Sequence, residues 1–331
     1  MNAFEHRHAG HCESGTVAAL LRHRGLNLSE PMVFGIGGGL FFLHLPIVKM
    51  GGIPLTSYRD APRAIMKNMT RRLGVRWRQH RYRSPEAAMQ ALDAFLAEGR
   101  PVGLQTSVYW LPYFPVDMRF HFNGHNLVAY GKQGDDYLLS DPVVETTVTC
   151  AAHDLKRARF AKGTFAPRGL VYYPEHVPTN PDLEGAVRDA IRTTAKRMTD
   201  IPMPFLGVRG IRWLADRLER WPEKLGAEAA RKWVGSVVRM QEEIGTGGAG
   251  FRFMYAAFLQ EAGQMLASNA LLEASQELSA TGDRWREFAI LGAQLVKGRE
   301  SSDSAYRQLA DTLRACAADE QRLFTRLKNA V

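Results

Sequence analysis

The residues best placed for chemistry stand in "HRHAGHCESGTVAALLRHRG", residues 6 to 25, where Cys12 sits among histidines directly before a helix-like run. A cysteine there can be a nucleophile, a metal ligand or a small capping residue. Unpaired N–H groups and aligned peptide dipoles at a helix N-terminus favour negative charge, so a thiol in this place ionises more readily. The same N–H groups can face a developing oxyanion. His6, His8 and His11 could gather with Cys12 around zinc, but their spacing is irregular for such a site and no metal is expected. The other two cysteines have plainer surroundings. Cys316 lies on an apolar stripe at helical spacing, where a small hydrophobe belongs. Cys150, in "VTCAAHDLKRARF", closes a polar strand-like run, and its neighbours His153 and Asp154 are near only along the chain.

A thiolate nucleophile needs a base, and the base needs an orienting group. The stretch "FHFNGHNLVAYGKQGDDYLLSDP", residues 120 to 142, offers both. "GKQGDD" reads as a hairpin loop between two strands. His125 opens the first strand and Asp141 closes the second, so antiparallel pairing sets them side by side. His121 is an alternative base. The plain alternative is a turn histidine and an Asp-Pro that merely ends a strand.

The elements that must position these groups follow from local signals. "CESGTVAALLRHRG" and "PEAAMQALDAFLAEG" read as helices ended by Gly25 and Gly99. "VRWRQHRY", "PVGLQTSVYW", "HNLVAYG", "DDYLLSD" and "RGLVYYP" read as strands. An early helix followed by antiparallel strands predicts an α+β domain. The apolar run "MVFGIGGGLFFLHLPIVKMGGIPL", residues 32 to 55, is long enough to raise the question of a membrane span. Glycines, His44, Pro46 and Lys49 interrupt it, so it reads as buried loop and core. Its "GIGGG" lacks the spacing and preceding strand of a dinucleotide loop. Three prolines in "PEHVPTNPD", residues 174 to 182, mark a linker. Beyond it apolar residues recur at helical spacing: Ile211, Leu214, Leu218 and Trp221; Trp285, Phe288, Leu291 and Leu295; then Tyr306, Leu309, Leu313, Cys316, Leu323 and Leu327. We therefore expect one domain over 1–178 and an all-helical one over 182–331.

Composition narrows the class. With 45% hydrophobic and 23% charged residues, the 331-residue chain is an ordinary globular protein. Three cysteines without paired spacing exclude a disulfide framework. The start "MNAFEHRHAG" lacks the apolar run of a secretory signal, and a cytoplasmic location is expected. Much of the net charge of +9 sits in "RAIMKNMTRRLGVRWRQHRYRS", residues 63 to 84, which would attract an acidic partner. No nucleic-acid-binding motif accompanies it, so nucleic acid is not the expected partner.

The arrangement resembles the papain-like cysteine enzymes of the C39-like branch, in which a helix-leading Cys is followed by a "GH" strand and an Asp-Pro after the next strand. "GHCESGTVAALLRHRGLNLSEPMVFGIGGGLFF" is similar to the amino-terminal domain of the butirosin biosynthesis protein H family, where an "HC-x-S" start precedes "lSE-x-M-x-FG-x-GGG". "GTGGAGFRFMYAAFLQEAG", residues 245 to 263, resembles the helical domain that accompanies it. The resemblance implies a papain-like α+β domain followed by an all-α domain, with Cys12 as nucleophile, His125 as base and Asp141 as orienting acid. It further implies an acyltransferase that needs no cofactor. The acyl group would pass from an acyl-carrier-protein thioester, through a Cys12 acyl-enzyme, to an amine or hydroxyl of a small acceptor in specialised-metabolite biosynthesis. Arg71, Arg72, Arg76 and Arg78 would then dock the acidic carrier. Two alternatives stand beside it: a thioesterase or amide hydrolase with the same triad, and a non-catalytic acyl-carrier or lipid-binding module, against which the intact triad argues. One departure matters. Papain-like peptidases carry a glutamine six positions before the nucleophile as an oxyanion donor, and here that place is His6. The second oxyanion donor is thus unassigned, and His11 reads as a positioning or structural residue.

Overall fold

The computed structural model describes residues 4–50, 52–298 and 303–330. The chain begins with α1 (Cys12–His23) and α2 (Glu30–Ile36), then a hairpin of β1 (Leu40–Met50) and β2 (Ile53–Arg59). Next come α3 (Ala64–Leu73), β3 (Arg76–His80), α4 (Pro85–Ala97), β4 (Val102–Thr106), β5 (His125–Gln133), β6 (Asp136–Ser140), β7 (Val148–Ala151), α5 (Ala152–Arg159) and β8 (Val171–His176). Helices alone follow: α6 (Leu183–Thr199), α7 (Gly207–Leu218), α8 (Trp221–Leu225), α9 (Ala227–Glu242), α10 (Arg252–Met265), α11 (Asn269–Val296) and α12 (Asp303–Leu327). Among the described residues, no helix is long and apolar enough to cross a membrane.

The chain forms two compact units: residues up to Val33 with Ile65–Pro181, and Phe34–Ala64 with the residues from Asp182 onward. The first is α+β. Its six-stranded antiparallel sheet has the order β3-β8-β4-β5-β6-β7. Leu104 and Leu127, paired across β4 and β5, point into a cluster with Leu92 of α4 and Leu155 of α5. No side chain of α1 belongs to that cluster. α1 packs on β4, β5 and β8 from the other face, and every residue from Cys12 to Leu21 is buried. A helix buried all round needs small residues, and Gly15, Ala18 and Ala19 supply them. A Cβ on Gly15 would stand 2.6 Å from Pro142 Cβ and 2.7 Å from Ala9 Cβ, so only glycine lets α1 approach that loop.

Two expectations need correction. Residues 32–55 supply core side chains such as Phe34, Phe41 and Phe42, as expected, but not from a loop: His44 pairs with Thr56 and Leu45 with Leu55 in the β1–β2 hairpin. Burial on both sides removes the polar alternation by which a strand is recognised, as Phe41 and Phe42 are adjacent and both buried. The hairpin also belongs with the helices rather than with the first domain. β1 packs on α6 and α7, and β2 on α9. A single break near the proline-rich linker therefore omits an exchange of residues 34–64.

In the helical unit a buried ion pair sits where the chain leaves "GTGGAG". Arg252 Nε and Nη2 donate to the two oxygens of Glu320 at 2.8 and 2.9 Å, and Arg252 Nη1 donates to Gly250 O at 2.8 Å. Trp285 Nε1 donates to Glu320 Oε1 at 2.7 Å. Gly250, at φ 55°, lies so close to the Tyr58 ring that a Cβ would stand 2.3 Å from it. Arg252 and Glu320 are both fully buried, so removing one partner leaves an uncompensated charge. Glu320→Ala should cost about 3–5 kcal/mol in urea unfolding, while a double replacement by apolar residues should recover much of it. Equal stability of wild type and Glu320→Ala would mean the pair is not isolated from water.

Candidate active site

β5 and β6 pair Val128 with Ser140 and Ala129 with Leu139. Asp141 is the residue after β6, and its carboxylate is fully buried. Burial without partners would neutralise a carboxylate, and this one has three. His125 Nε2 and Tyr113 Oη approach Oδ2 at 2.6 and 2.7 Å, and the Val143 N–H donates to Oδ1 at 3.2 Å. The Phe114 ring stands edge-on to His125 with centroids 5.7 Å apart.

The Cys12 sulfur lies near enough to the His125 ring to contribute to its titration. With Nε2 held by Asp141, Nδ1 is the nitrogen left for the thiol. Burial opposes a charged imidazole, but the Asp141 carboxylate outweighs it and, with the Cys12 sulfur, lifts the His125 pKa to about 10. Burial, and then the same carboxylate, push the Tyr113 phenol well above its ordinary range, so it remains a donor.

The start of α1 is held as firmly. His11 is the N-cap, with Nδ1 3.3 Å from Ser14 N and 2.8 Å from Ser14 Oγ. Glu30 accepts from the N–H groups of Gly10 and His11 at 2.8 Å each and from Ser14 Oγ at 2.9 Å. Its pKa is raised, because burial outweighs these bonds. The preceding segment runs along the loop that carries Asp141. His6 contacts Ser140 Oγ at 2.8 Å and donates to Val144 O at 3.1 Å, and Ala9 N donates to Pro142 O at 2.6 Å.

The structure thus brings Cys12, His125 and Asp141 together. His121 is elsewhere, its ring stacked 4.0 Å from that of Tyr109. His6 is engaged by the Asp141 loop, and no metal-holding group of His, Cys, Asp or Glu occurs among the described residues. Burial pushes the Cys150 thiol up to about 12 and that of Cys316 up as well. Arg71 and Arg72 fall in the last turn of α3, while Arg76 and Arg78 lie exposed on β3, the edge strand. Arg78 pairs with Glu175 at 2.6 Å. Sequence reasoning missed Tyr113, the Glu30 clamp and Asn126, whose Nδ2 lies 3.9 Å from Cys12 Sγ. Tyr113 is one of several aromatics in its loop, and nothing in its spacing distinguishes it.

Residues 153–327 match the family described as Domain of unknown function (DUF4872), and residues 11–142 match Butirosin biosynthesis protein H, N-terminal. Among solved structures, a Bacillus anthracis protein described as C39-like peptidase is similar at 13% identity and a TM-score of 0.37, with 53% of this chain and 96% of that chain covered. No curated protein matches.

The raised imidazole pKa carries a prediction. The His125–Asp141 pairing adds to stability below the free imidazole's 6.5, and that gain is lost as pH rises through about 10. In Asp141→Asn the carboxylate's attraction is gone and burial acts against less opposition. The His125 pKa, followed by NMR of its Cε1 proton, should fall from about 10 toward the free imidazole's 6.5 or below it. A value unchanged near 10 would show that some other anion holds the proton.

Proposed function

Given that the chain belongs to the DUF4872 family and matches the butirosin biosynthesis protein H model at its amino-terminal side, we propose that it is a cysteine-dependent acyltransferase. The acyl donor is an acyl-carrier-protein thioester, and the acceptor is an amine or hydroxyl of a small molecule. The observation that carries this reading is the imidazole bound to a buried carboxylate and set beside a thiol at the start of a buried helix. An imidazole whose pKa is lifted to about 10 holds a proton firmly at neutral pH, including the one a nucleophilic Cys12 must give up.

The steps follow from these groups. Cys12 Sγ joins the thioester carbonyl carbon, and the carbonyl electrons move onto oxygen. Collapse breaks the carbon–sulfur bond to the carrier, whose thiolate takes the proton from His125. The acceptor nitrogen or oxygen then attacks the acyl-enzyme and gives its proton to the now neutral His125. The carbon–sulfur bond to Cys12 breaks, and the thiolate–imidazolium pair returns. Exchange of one thioester for another is nearly level, whereas amide formation from a thioester runs downhill.

Intact-protein mass spectrometry after mixing with acyl-loaded carrier should show the acyl adduct on wild type and none on Cys12→Ala. Iodoacetamide should label Cys12 before Cys150 or Cys316. Preferential labelling of Cys150 would move the site. Release of free acid in the presence of acceptor amines, with no amide, would make the protein a thioesterase.

The basic residues on α3 and β3 support an acidic donor. Reversing Arg71 and Arg72 to Glu should slow loading from the carrier protein and flatten its salt dependence. Loading from a small-molecule thioester should be unchanged. Equal slowing of both donors would refute a docking role.

A further inference from the structure

The tetrahedral intermediate at Cys12 needs donors for its oxyanion, and the place of the usual glutamine is taken by His6, which is bound to Ser140 and Val144. One donor is built into α1. The Cys12 N–H lies in the first helical turn, which has no carbonyl four residues back. We propose that the side-chain amide of Asn126 is the second oxyanion donor. This inference rests on the acyl-transfer reading of Cys12.

Asn126 is adjacent to His125 on β5, and neighbouring residues of a strand leave on opposite faces. For both to reach one sulfur, the thiol must lie off the open end of the strand, with base and amide approaching from different sides. That is the disposition acyl transfer requires, since the proton and the oxyanion sit on different atoms of the tetrahedral centre.

The amide is held in one orientation. Tyr172 Oη donates to Asn126 Oδ1 at 2.9 Å, so the nitrogen faces the other way, toward Cys12. One Nδ2 proton goes to Gly124 O at 3.0 Å, and the other is directed at Cys12 Sγ from 3.9 Å. Burial keeps the Tyr172 phenol protonated, so it stays a donor, and the whole group is shielded from water. A separation of 3.9 Å is long for a bond to sulfur. An oxygen on the carbon that sulfur attacks falls between the two atoms, within the about 2.7–3.1 Å at which an oxyanion donor works.

Two nearby polar side chains are engaged elsewhere. Gln105, the register partner of Asn126, donates through Nε2 to Asn123 O and Phe165 O at 2.8 Å each. His11 caps α1 through Ser14.

The test separates two reactions of one thiol. Alkylation by iodoacetamide displaces iodide and forms no oxyanion. Acylation by p-nitrophenyl acetate forms the carbon–sulfur bond through an oxyanion and expels p-nitrophenolate, with no need of the natural acyl group. In Asn126→Ala, acylation of Cys12 should fall by about 10²–10³-fold. Its alkylation rate and the pH at which alkylation sets in should stay as in wild type. Tyr172→Phe, which frees the amide without removing it, should show a smaller loss of the same kind. It decides the matter alone if Asn126→Ala does not fold.

Acylation of both variants at the wild-type rate would overturn the assignment while leaving the acyl-transfer reading intact. Equal losses of acylation and alkylation in a folded variant would assign Asn126 to the thiol and also overturn it. Wild type that is alkylated at Cys12 but never acylated would sink the acyl-transfer reading, and this inference with it.

Discussion

Everything at the site depends on one buried carboxylate. Asp141 is fully enclosed, and a charge removed from water survives only if other groups replace the water. His125, Tyr113 and the Val143 N–H do so. Once they do, the imidazole is fixed in position and made basic, because the carboxylate has no stronger cation to satisfy it. The loop that presents Asp141 is therefore held from the outside, by His6 on Ser140 and Val144 and by the Ala9 N–H on Pro142. Gly15 completes the arrangement by leaving room for Pro142 against α1.

The same logic governs the other end of the dyad. α1 is buried over its first ten residues, so its unpaired N–H groups cannot turn to solvent. His11 caps one of them through Ser14, and the Glu30 carboxylate takes the N–H groups of the two residues leading into the helix. The start of the helix that carries Cys12 is thus fixed by a glutamate eighteen residues later. Precision here comes from the supports of the helix rather than from the thiol's own contacts.

This division explains what was legible in the sequence. Cys12, His125 and Asp141 each stand at an end of a regular element, and element ends carry local signals: a cap with an apolar run behind it, a loop of Gly and Asp, an Asp-Pro. α1, α4 and the β5–β6 hairpin were readable on the same grounds. Tyr113, Glu30 and Asn126 act through contacts that no local pattern encodes. The β1–β2 hairpin escaped because β1 begins with adjacent buried Phe41 and Phe42, which hide its alternation. Its membership of the helical unit depends on α6, α7 and α9, whose sequences lie well over a hundred residues away.

Two buried ion pairs, Arg252–Glu320 and His125–Asp141, show how one physical device serves different ends. In the helical unit Arg252 meets Glu320 through two parallel bonds, and Trp285 adds a third. A guanidinium does not release its proton at any pH the fold survives, so this pair can organise a core but cannot do acid–base work. His125 against Asp141 is equally enclosed, yet its cation is an imidazolium, whose proton can leave when a stronger base forms beside it. The identity of the cation, and not the burial of the carboxylate, is what separates a pair able to exchange a proton from one that is not.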